Sequence, residues 1–345
     1  MAEVPNEGPG RFVMCLYRSV IKAAVLVAIA LATPTALLAA SAADNYPDRP
    51  IRLVVPFPAG GINDVLARVW ANTITPHLGT IIIENRGGGG SMIGSAEAAH
   101  APPDGYTLLL GNSTNQVLNP QLMRFPPFDP VKDLIAVTIL TKIPNAIAVH
   151  PSLPVHNLKE LADYARANPG KLSYGSAGIG SMTHLSAELF KKLAGGLDIV
   201  HVPYRGGAPG ISDLTSGTVP VISLSMAAQL LALHHAGKIR ILCVNASTRV
   251  EAAPDIPTAV ESGYPGLVVQ VFNGIFAPAG TPKPIVDRIA NATKKIMTDP
   301  ELQKVLKAAG AEVVLDSDSD KAARFVAEER QHWTPIIKAS GIEVR

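Results

Sequence analysis

Ile51-Arg52-Leu53-Val54-Val55-Pro56-Phe57-Pro58-Ala59-Gly60-Gly61-Ile62-Asn63-Asp64 reads as a strand, a short turn and the opening of a helix. Ile51 to Val55 are mostly β-branched or Leu, which suits a strand covered on both faces. Pro56 and Pro58 stop it, because proline has no N–H to give to a ladder. Gly60 and Gly61 admit backbone angles that other residues resist, and they let a ligand approach the main chain. Asn63 or Asp64 is placed to cap the helix that follows. Such a turn points unpaired N–H groups outward at the positive end of a helix dipole, where a small anion binds. A Gly-Gly before a helix is also the ordinary form of a tight βα turn.

The same unit recurs outward from this stretch. After a helix over Asp64–His77 come a strand at Thr80–Asn85, the glycine loop Arg86–Gly90 and a helix from about Ser91 to Ala101. A strand at Tyr106–Leu110 then opens into the polar loop Gly111–Asn115. A second set begins at the apolar run Ala146–Val149. It continues with a helix over Leu158–Ala167 that starts at Asn157, and a strand at Lys171–Gly175. The loop Ser176–Ser181 follows, then a helix over Met182–Leu193, a strand at Asp198–Pro203 and the loop Tyr204–Gly207. A helix opens at Ala208-Pro209, and strands at Val219–Leu224 and Lys238–Val244 flank a helix over Ala227–Ala236. An extended run, Val268–Phe276, precedes helices over Lys283–Thr298, Asp299–Ala309 and Asp318–Ala339. The last presents Ala323, Val326, Ala327, Arg330 and Trp333 at helical spacing. Alternating strands and helices imply an α/β fold with mainly parallel sheets. Ligands bind such sheets at the carboxyl ends of the strands.

Of 345 residues, 47% are hydrophobic and 17% charged, a globular mix long enough for about two domains. The formal net charge is +2, and residues 1–43 hold three basic and two acidic residues of the total. The remainder is near neutral, without the basic balance a nucleic-acid partner demands. Aromatics are 5%, too few for base-stacking platforms. At the N-terminus, Arg18 and Lys22 precede the apolar run Ala23–Leu38 and the small residues Ala39–Ala43. This is the pattern of a cleaved secretory signal over residues 1–43, and export is the expectation. Translation begins at Met1 or at Met14, which opens a more ordinary signal of its own. Cys15 lies in that segment, and Cys243 sits in an apolar run as a buried hydrophobe.

Enzyme motifs are missing. The chain has no Gly-x-Ser-x-Gly elbow, no His-Glu-x-x-His pair and no Gly-Lys-Ser/Thr phosphate loop. Gly88-x-Gly90-x-x-x-Gly94 does not have the dinucleotide spacing. No catalytic residue, cofactor or metal is expected, and the scattered histidines, His184 and His201 among them, read as surface or structural groups. What remains is polar, glycine-rich loops before helices. Ser176–Ser181 is the most suggestive, with Gly178 and Gly180 freeing backbone N–H groups and Ser181 or Thr183 offering a hydroxyl. Together with Ala59-Gly60-Gly61 it gives two anion-receptive helix N-termini, both of which a small carboxylate caught between two lobes would use; taken singly, each reads as an ordinary βα turn.

The run Tyr46-Pro47-Asp48-Arg49-Pro50 through Gly61 resembles the mature N-terminus of the tripartite tricarboxylate transporter substrate-binding proteins, the Bug-type receptors. Further matching blocks are Asp64–Arg68, Glu84–Gly88, Pro103–Leu108, Ser173–Gly178, Thr183–Leu185, His201–Gly206, Gly263–Gly266 and Ala277–Pro282. They run in order from Tyr46 to the C-terminus.

The resemblance implies a periplasmic two-lobed receptor, each lobe a mainly parallel sheet flanked by helices, joined by two crossover segments. The crossings are expected near Asn145–Val149 and Val268–Asn273. Lobe 1 is then discontinuous, residues 46–147 with 271–345, and lobe 2 is 148–270. In that family the cleft holds a small organic acid or an uncharged aromatic relative, gripped largely by main-chain groups and ordered water. The matching positions give a ligand set of Phe57, Ala59, Gly60, Gly61 and Asp64, with Ser113, on one side. On the other stand Ser176, Ala177, Gly178, Gly180, Ser181, Thr183, Tyr204 and Arg205. Implied partners are an organic acid and the membrane permease subunits of a tripartite transporter, with the receptor itself a monomer. Many members carry Thr where this chain has Asn63, and a polar or acidic residue after the strand where this chain has Pro220–Ser225. Two other functions fit the residues: a sensor that reports its ligand to a signalling receptor, and a secreted hydrolase using Ser113 or Ser176.

Overall fold

The computed structural model describes residues 45–342 except residue 309, so the expected signal segment over residues 1–43 lies outside the described residues. Strand β1 (Ile51–Val55) pairs in parallel with β2 (Ile81–Asn85) and with β3 (Thr107–Asn112). Helix α1 (Ile62–Leu78) follows β1, and α2 (Met92–Ala99) follows β2. Neither Asn63 nor Asp64 caps α1, because the helix starts earlier, with Gly61 as N-cap and no side chain on its first N–H groups. Beyond β3 the expected polar loop is instead coiled. Gly111 and Asn112 stay in the strand, and Thr114–Leu118 forms a π-helical turn that runs into the short helix α3 (Asn119–Leu122). The cause is local: the Asn112 side chain accepts from Thr114 N–H at 2.9 Å, and the Asn115 side chain accepts from Asn112 N–H at 2.9 Å.

A second parallel set comprises β5 (Leu172–Ser176), β6 (Ile199–Pro203) and β7 (Val221–Ser225). Helices α4 (Leu158–Ala167), α5 (Met182–Leu193), α6 (Gly207–Ser216) and α7 (Ala228–His235) alternate with these strands. Asn157 caps α4 by accepting from Glu160 N–H. The two sets are joined by antiparallel strands. The 16-residue β4 (Leu134–Val149) pairs with β9 (Gln270–Pro278) up to Pro144, and from Asn145 onward with β7 and β8 (Arg240–Val244). Only Ala146–Val149 of β4 stood out in the sequence, since Thr138, Thr141, Lys142 and Pro144 interrupt the apolar run before it. The sheet order is β2-β1-β3-β9-β4-β7-β5-β6.

This order brings the polar strand ends together. Asn112 at the end of β3 stands opposite Asn273 of β9, which stands opposite Thr141 of β4. Ser225 at the end of β7 stands opposite Asn145 of β4. Thr141 and Asn145 are four residues apart, about 13 Å along a strand. The loops at the carboxyl ends of both parallel sets therefore face the same short segment of β4.

The remaining chain covers the first set with α8 (Lys283–Met297), α9 (Pro300–Ala308), the two-residue β10 (Glu312–Val313) and α10 (Ser319–Ser340). Of the stripe expected on α10, Trp333 is buried and Val326 and Arg330 are half-buried, but Ala323 and Ala327 are exposed; Ala322 and Ile337 are buried on that face instead. Stripe and core then share one side of the helix at its natural period.

Candidate functional site

The turn after β1 is built around Asp64. This side chain is buried in the first turn of α1, and its Oδ2 accepts from Gly60 N–H at 2.9 Å and Arg68 Nε at 3.0 Å. Its Oδ1 accepts from Asn85 Nδ2 at 3.0 Å, and the same amide donates to the Phe57 carbonyl at 3.1 Å. Burial alone would raise the carboxyl pKa, but the hydrogen bonds from Arg68, Gly60 and Asn85 prevail and hold it below the usual carboxylate range. Asp64 is thus a brace for the turn, and Gly60 N–H is given to it. The N–H groups left pointing outward are those of Gly61 and the first turn of α1, which no side chain caps. Asp64→Ala should cost about 2–3 kcal/mol of stability, since hydrogen bonds to a charged group are lost together. The folded pKa is depressed, so this contribution is complete above the ordinary carboxylate pKa and is lost as pH falls below it. Urea unfolding at neutral pH and near pH 3 measures both effects; equal losses at the two pH values would refute the charge argument.

The loop after β5 is closed by its own side chains. Ala177 N–H donates to Thr183 Oγ1 at 2.9 Å, Gly178 N–H to Ser176 Oγ at 3.2 Å and Gly180 N–H to His184 Nδ1 at 3.2 Å. Ser181 caps α5 by accepting from His184 N–H, and its hydroxyl donates to the Gly178 carbonyl at 2.7 Å. Four amides expected to face a ligand, at Ala177, Gly178, Gly180 and Ser181, are therefore used within the loop. Ile179 N–H and the first-turn N–H groups of Met182 and Thr183 remain at the positive end of α5. Ile179 itself is 53% exposed at the loop tip.

Tyr204 and Arg205 follow β6 beside this loop. Tyr204 N–H donates to the Ser176 carbonyl at 3.0 Å, and Gly206 N–H to the Ala177 carbonyl at 3.2 Å. The Tyr204 hydroxyl donates to Asp213 Oδ2 at 2.7 Å, and burial followed by that carboxylate pushes its pKa up to about 12. Its ring lies against Gly175 and Gly210: a Cβ would collide with it at Gly175, at 2.8 Å, and press on it at Gly210, at 3.1 Å. Arg205 is exposed and makes no hydrogen bond or ion pair among the described residues. It stands at the N-terminus of α6, whose N-cap Gly206 also leaves the first N–H groups uncapped. Ser113 is apart from both loops: it is fully buried, and its hydroxyl accepts from Phe272 N–H at 3.0 Å, tying β3 to β9. Among the described residues no hydrogen bond links the Phe57–Asp64 set to the Ser176–Arg205 set.

One arrangement escaped the sequence reading. His184 and His201 stack with ring centroids 3.9 Å apart and planes 10° from parallel, and Tyr174 stacks on His201 at 4.8 Å. His201 Nε2 lies 2.7 Å from Ser176 Oγ. The two histidines are separated by a strand connection, and no local spacing announces the pair.

A family model described as the tripartite tricarboxylate transporter family receptor, TctC, matches residues 66–342. The chain belongs to this receptor family. A UPF0065 protein of Bordetella pertussis is 37% identical over 316 residues, 91% of this chain and 97% of its own. The structure of the periplasmic binding protein BugD superposes with a TM-score of 0.78 at 34% identity, covering 86% of this chain and 99% of BugD. R. palustris Rpa4515, solved with adipate, gives a TM-score of 0.81 at 34% identity, covering 87% of this chain and 99% of its own.

A TctC receptor is a binding protein and not an enzyme, which disposes of the hydrolase reading. The geometry agrees at both serines: Ser113 and Ser176 are fully buried, so neither hydroxyl meets solvent despite the Ser176–His201 contact. Cys243 is likewise buried, and burial pushes its thiol pKa up to about 12. Among the described residues no group of three or more His, Cys, Asp or Glu could hold a metal ion.

Proposed function

We propose that this TctC receptor captures a small dicarboxylic acid between two lobes and delivers it to the membrane permease of a tripartite uptake system. The lobes are residues 46–147 with 271–345, and residues 148–270; the switch of β4 from β9 to β7 and β8 at Pro144–Asn145 supports that division. The observation that carries the reading is three helix starts, those of α1, α5 and α6, at the carboxyl ends of β1, β5 and β6, in two parallel sets whose inner strands β3 and β7 end opposite Asn273 of β9 and Asn145 of β4. The starts of α1 and α6 carry no side-chain cap, and that of α5 keeps the Met182 and Thr183 N–H groups. Each start offers N–H groups and a positive dipole end, the requirement of a carboxylate. The acid in these loops, Asp64, is neutralised by Arg68. Ile179 supplies apolar surface for the hydrocarbon between two acid groups. Phe57, Ala59 and Gly61 form the lobe 1 wall in this reading, with Asp64, Gly60 and Ser113 supporting it. Ala177, Gly178, Gly180, Ser181 and Thr183 shape the lobe 2 wall.

Adipate bound to Rpa4515 supports the ligand class. The expected signal segment supports export, with the monomeric receptor working in the periplasm as BugD does. A thermal-shift screen of linear dicarboxylates, adipate first, against matched monocarboxylates and diamides tests the reading. A ligand at a hundred times its Kd should stabilise the protein by about 2.7 kcal/mol. No stabilisation by any dicarboxylate, or equal stabilisation by the diamides, would overturn it.

A further inference from the structure

The loop between β5 and α5 owes its shape to two imidazoles. His184 Nδ1 accepts Gly180 N–H at 3.2 Å, so that nitrogen carries no proton and the ring is neutral. His201 Nε2 meets Ser176 Oγ at 2.7 Å, and Ser176 Oγ in turn accepts Gly178 N–H. The two rings thus hold opposite ends of one loop while stacked face to face at 3.9 Å. Nothing in the proposed contacts with a ligand uses either ring.

We propose that His184 and His201 are positioning residues that keep the Ser176–Ser181 loop in its anion-receptive form only while both rings are neutral, so that the receptor lets go of its ligand in acidic surroundings. This rests on the binding reading above. Protonation at His184 Nδ1 sets a proton against Gly180 N–H and removes its acceptor. In the tautomer that takes the Ser176 proton at Nε2, protonating His201 makes that nitrogen a donor to Ser176 Oγ and turns the hydroxyl proton toward the Gly178 carbonyl at 3.3 Å. With both rings charged, two cations would stand 3.9 Å apart.

The surroundings set the balance. Tyr174 from β5 stacks on His201 and donates its hydroxyl to Glu188 at 2.6 Å; Lys191 donates to the same carboxylate oxygen at 2.8 Å. Glu188 of α5 favours the charged rings and Lys191 of α5 opposes them, while burial, the largest effect at both, keeps them neutral. Each ring's pKa is lowered to about 4, and His201 adds to the lowering at His184. The brace is therefore intact at neutral pH and yields only as pH falls toward that value.

The test compares adipate affinity of the wild type with that of the double variant His184→Asn, His201→Gln between pH 7 and pH 4. Asn offers an acceptor where Nδ1 stood and Gln where Nε2 stood, and neither titrates. The ligand's own ionisation cancels in the ratio of the two dissociation constants at each pH. That ratio should move by about two- to fourfold against the wild type by pH 4, about twofold for each ring half-protonated at its pKa. A ratio that stays constant across the range would overturn the proposal. Ring and amide NMR of the ligand-free wild type decides the matter if the variant misfolds. The Gly178 and Gly180 amide resonances should shift together with the two rings in the acid range; amides that stay fixed while the rings titrate would also overturn it. Failure of adipate to bind at pH 7 would strike the binding reading alone, since the NMR result stands without a ligand.

Discussion

Gly94→Val is expected to cost about 3 kcal/mol and lower the melting temperature by roughly 5 °C. Gly94 lies in the first turn of α2, where a Cβ would stand 2.5 Å from the Arg86 carbonyl oxygen, 2.8 Å from Arg86 Cβ and 3.2 Å from Pro56 Cα. The first and last of these belong to the main chain, so no rotamer change relieves the overlap. Helix α2 would have to lift away from the ends of β1 and β2, and the turn that carries Phe57–Gly61 would move with it. Gly87→Ala in the same loop is the control, because its Cβ would meet nothing nearer than Pro58 N at 3.4 Å. That variant should stay within about 0.5 kcal/mol of wild type. Calorimetric scans of both decide; an unshifted transition in Gly94→Val would show that α2 is not packed as described.

Gly178→Val is expected to weaken dicarboxylate binding by more than tenfold, about 1.4 kcal/mol or more, with Arg205→Ala costing less. Gly178 has φ of +131° and a Cβ there would meet the Tyr204 carbonyl oxygen at 3.1 Å. A side chain is strained by the backbone angle before any contact is counted. The residue also sits at the centre of its loop, donating to Ser176 Oγ and accepting from both Ser181 N–H and Ser181 Oγ. The effect therefore passes through the loop to Ile179 N–H and the start of α5. Each hydrogen bond to an ionised group contributes about 1.5–3 kcal/mol, against about 0–1 kcal/mol for an exposed ion pair such as Arg205 could form. Calorimetry with adipate at two salt concentrations orders the two variants. Loss of binding in Arg205→Ala, with near-normal binding in Gly178→Val and a steep salt dependence, would sink the backbone account.

Much of the architecture was legible because it is local. Ile51–Val55 is apolar throughout except for Arg52 and stopped by proline, and it is β1 to the residue. Met182–Leu193 is α5 to the residue, with Ser181 as its cap, and Asp318, read as the first residue of the last helix, is the N-cap of α10. The errors have a common origin in contacts the sequence does not display. Asp64 looked like a cap, yet its carboxylate is drawn back to Gly60, held by Arg68 one turn on in the same helix and by Asn85, which arrives from the end of β2. The stretch after Leu110 looked like a loop, yet asparagine side chains wind it into a π-helical turn. Most of β4 was passed over because its polar residues break the apolar pattern. They are tolerated there because β9 pairs along that part of the strand and buries Thr138 and Thr141.

By itself the sequence determined the alternation of strands and helices, the places where glycine-rich turns precede helix starts, and the blocks shared with a receptor family. Periodicity, proline and capping act over a few residues, so a single chain displays them directly. Only the tertiary structure decided which amides of those turns stay free. Whether the N–H of Gly60, Gly178 or Gly180 faces outward depends on Asp64, Ser176 and His184, and on the partners that orient them. The stack of His184 on His201 was decided the same way. It joins a helix to the following strand, and burial of both rings against Tyr174 holds them neutral. Hydrogen-bond commitment and desolvation depend on neighbours distant in the chain, and only the fold supplies those neighbours.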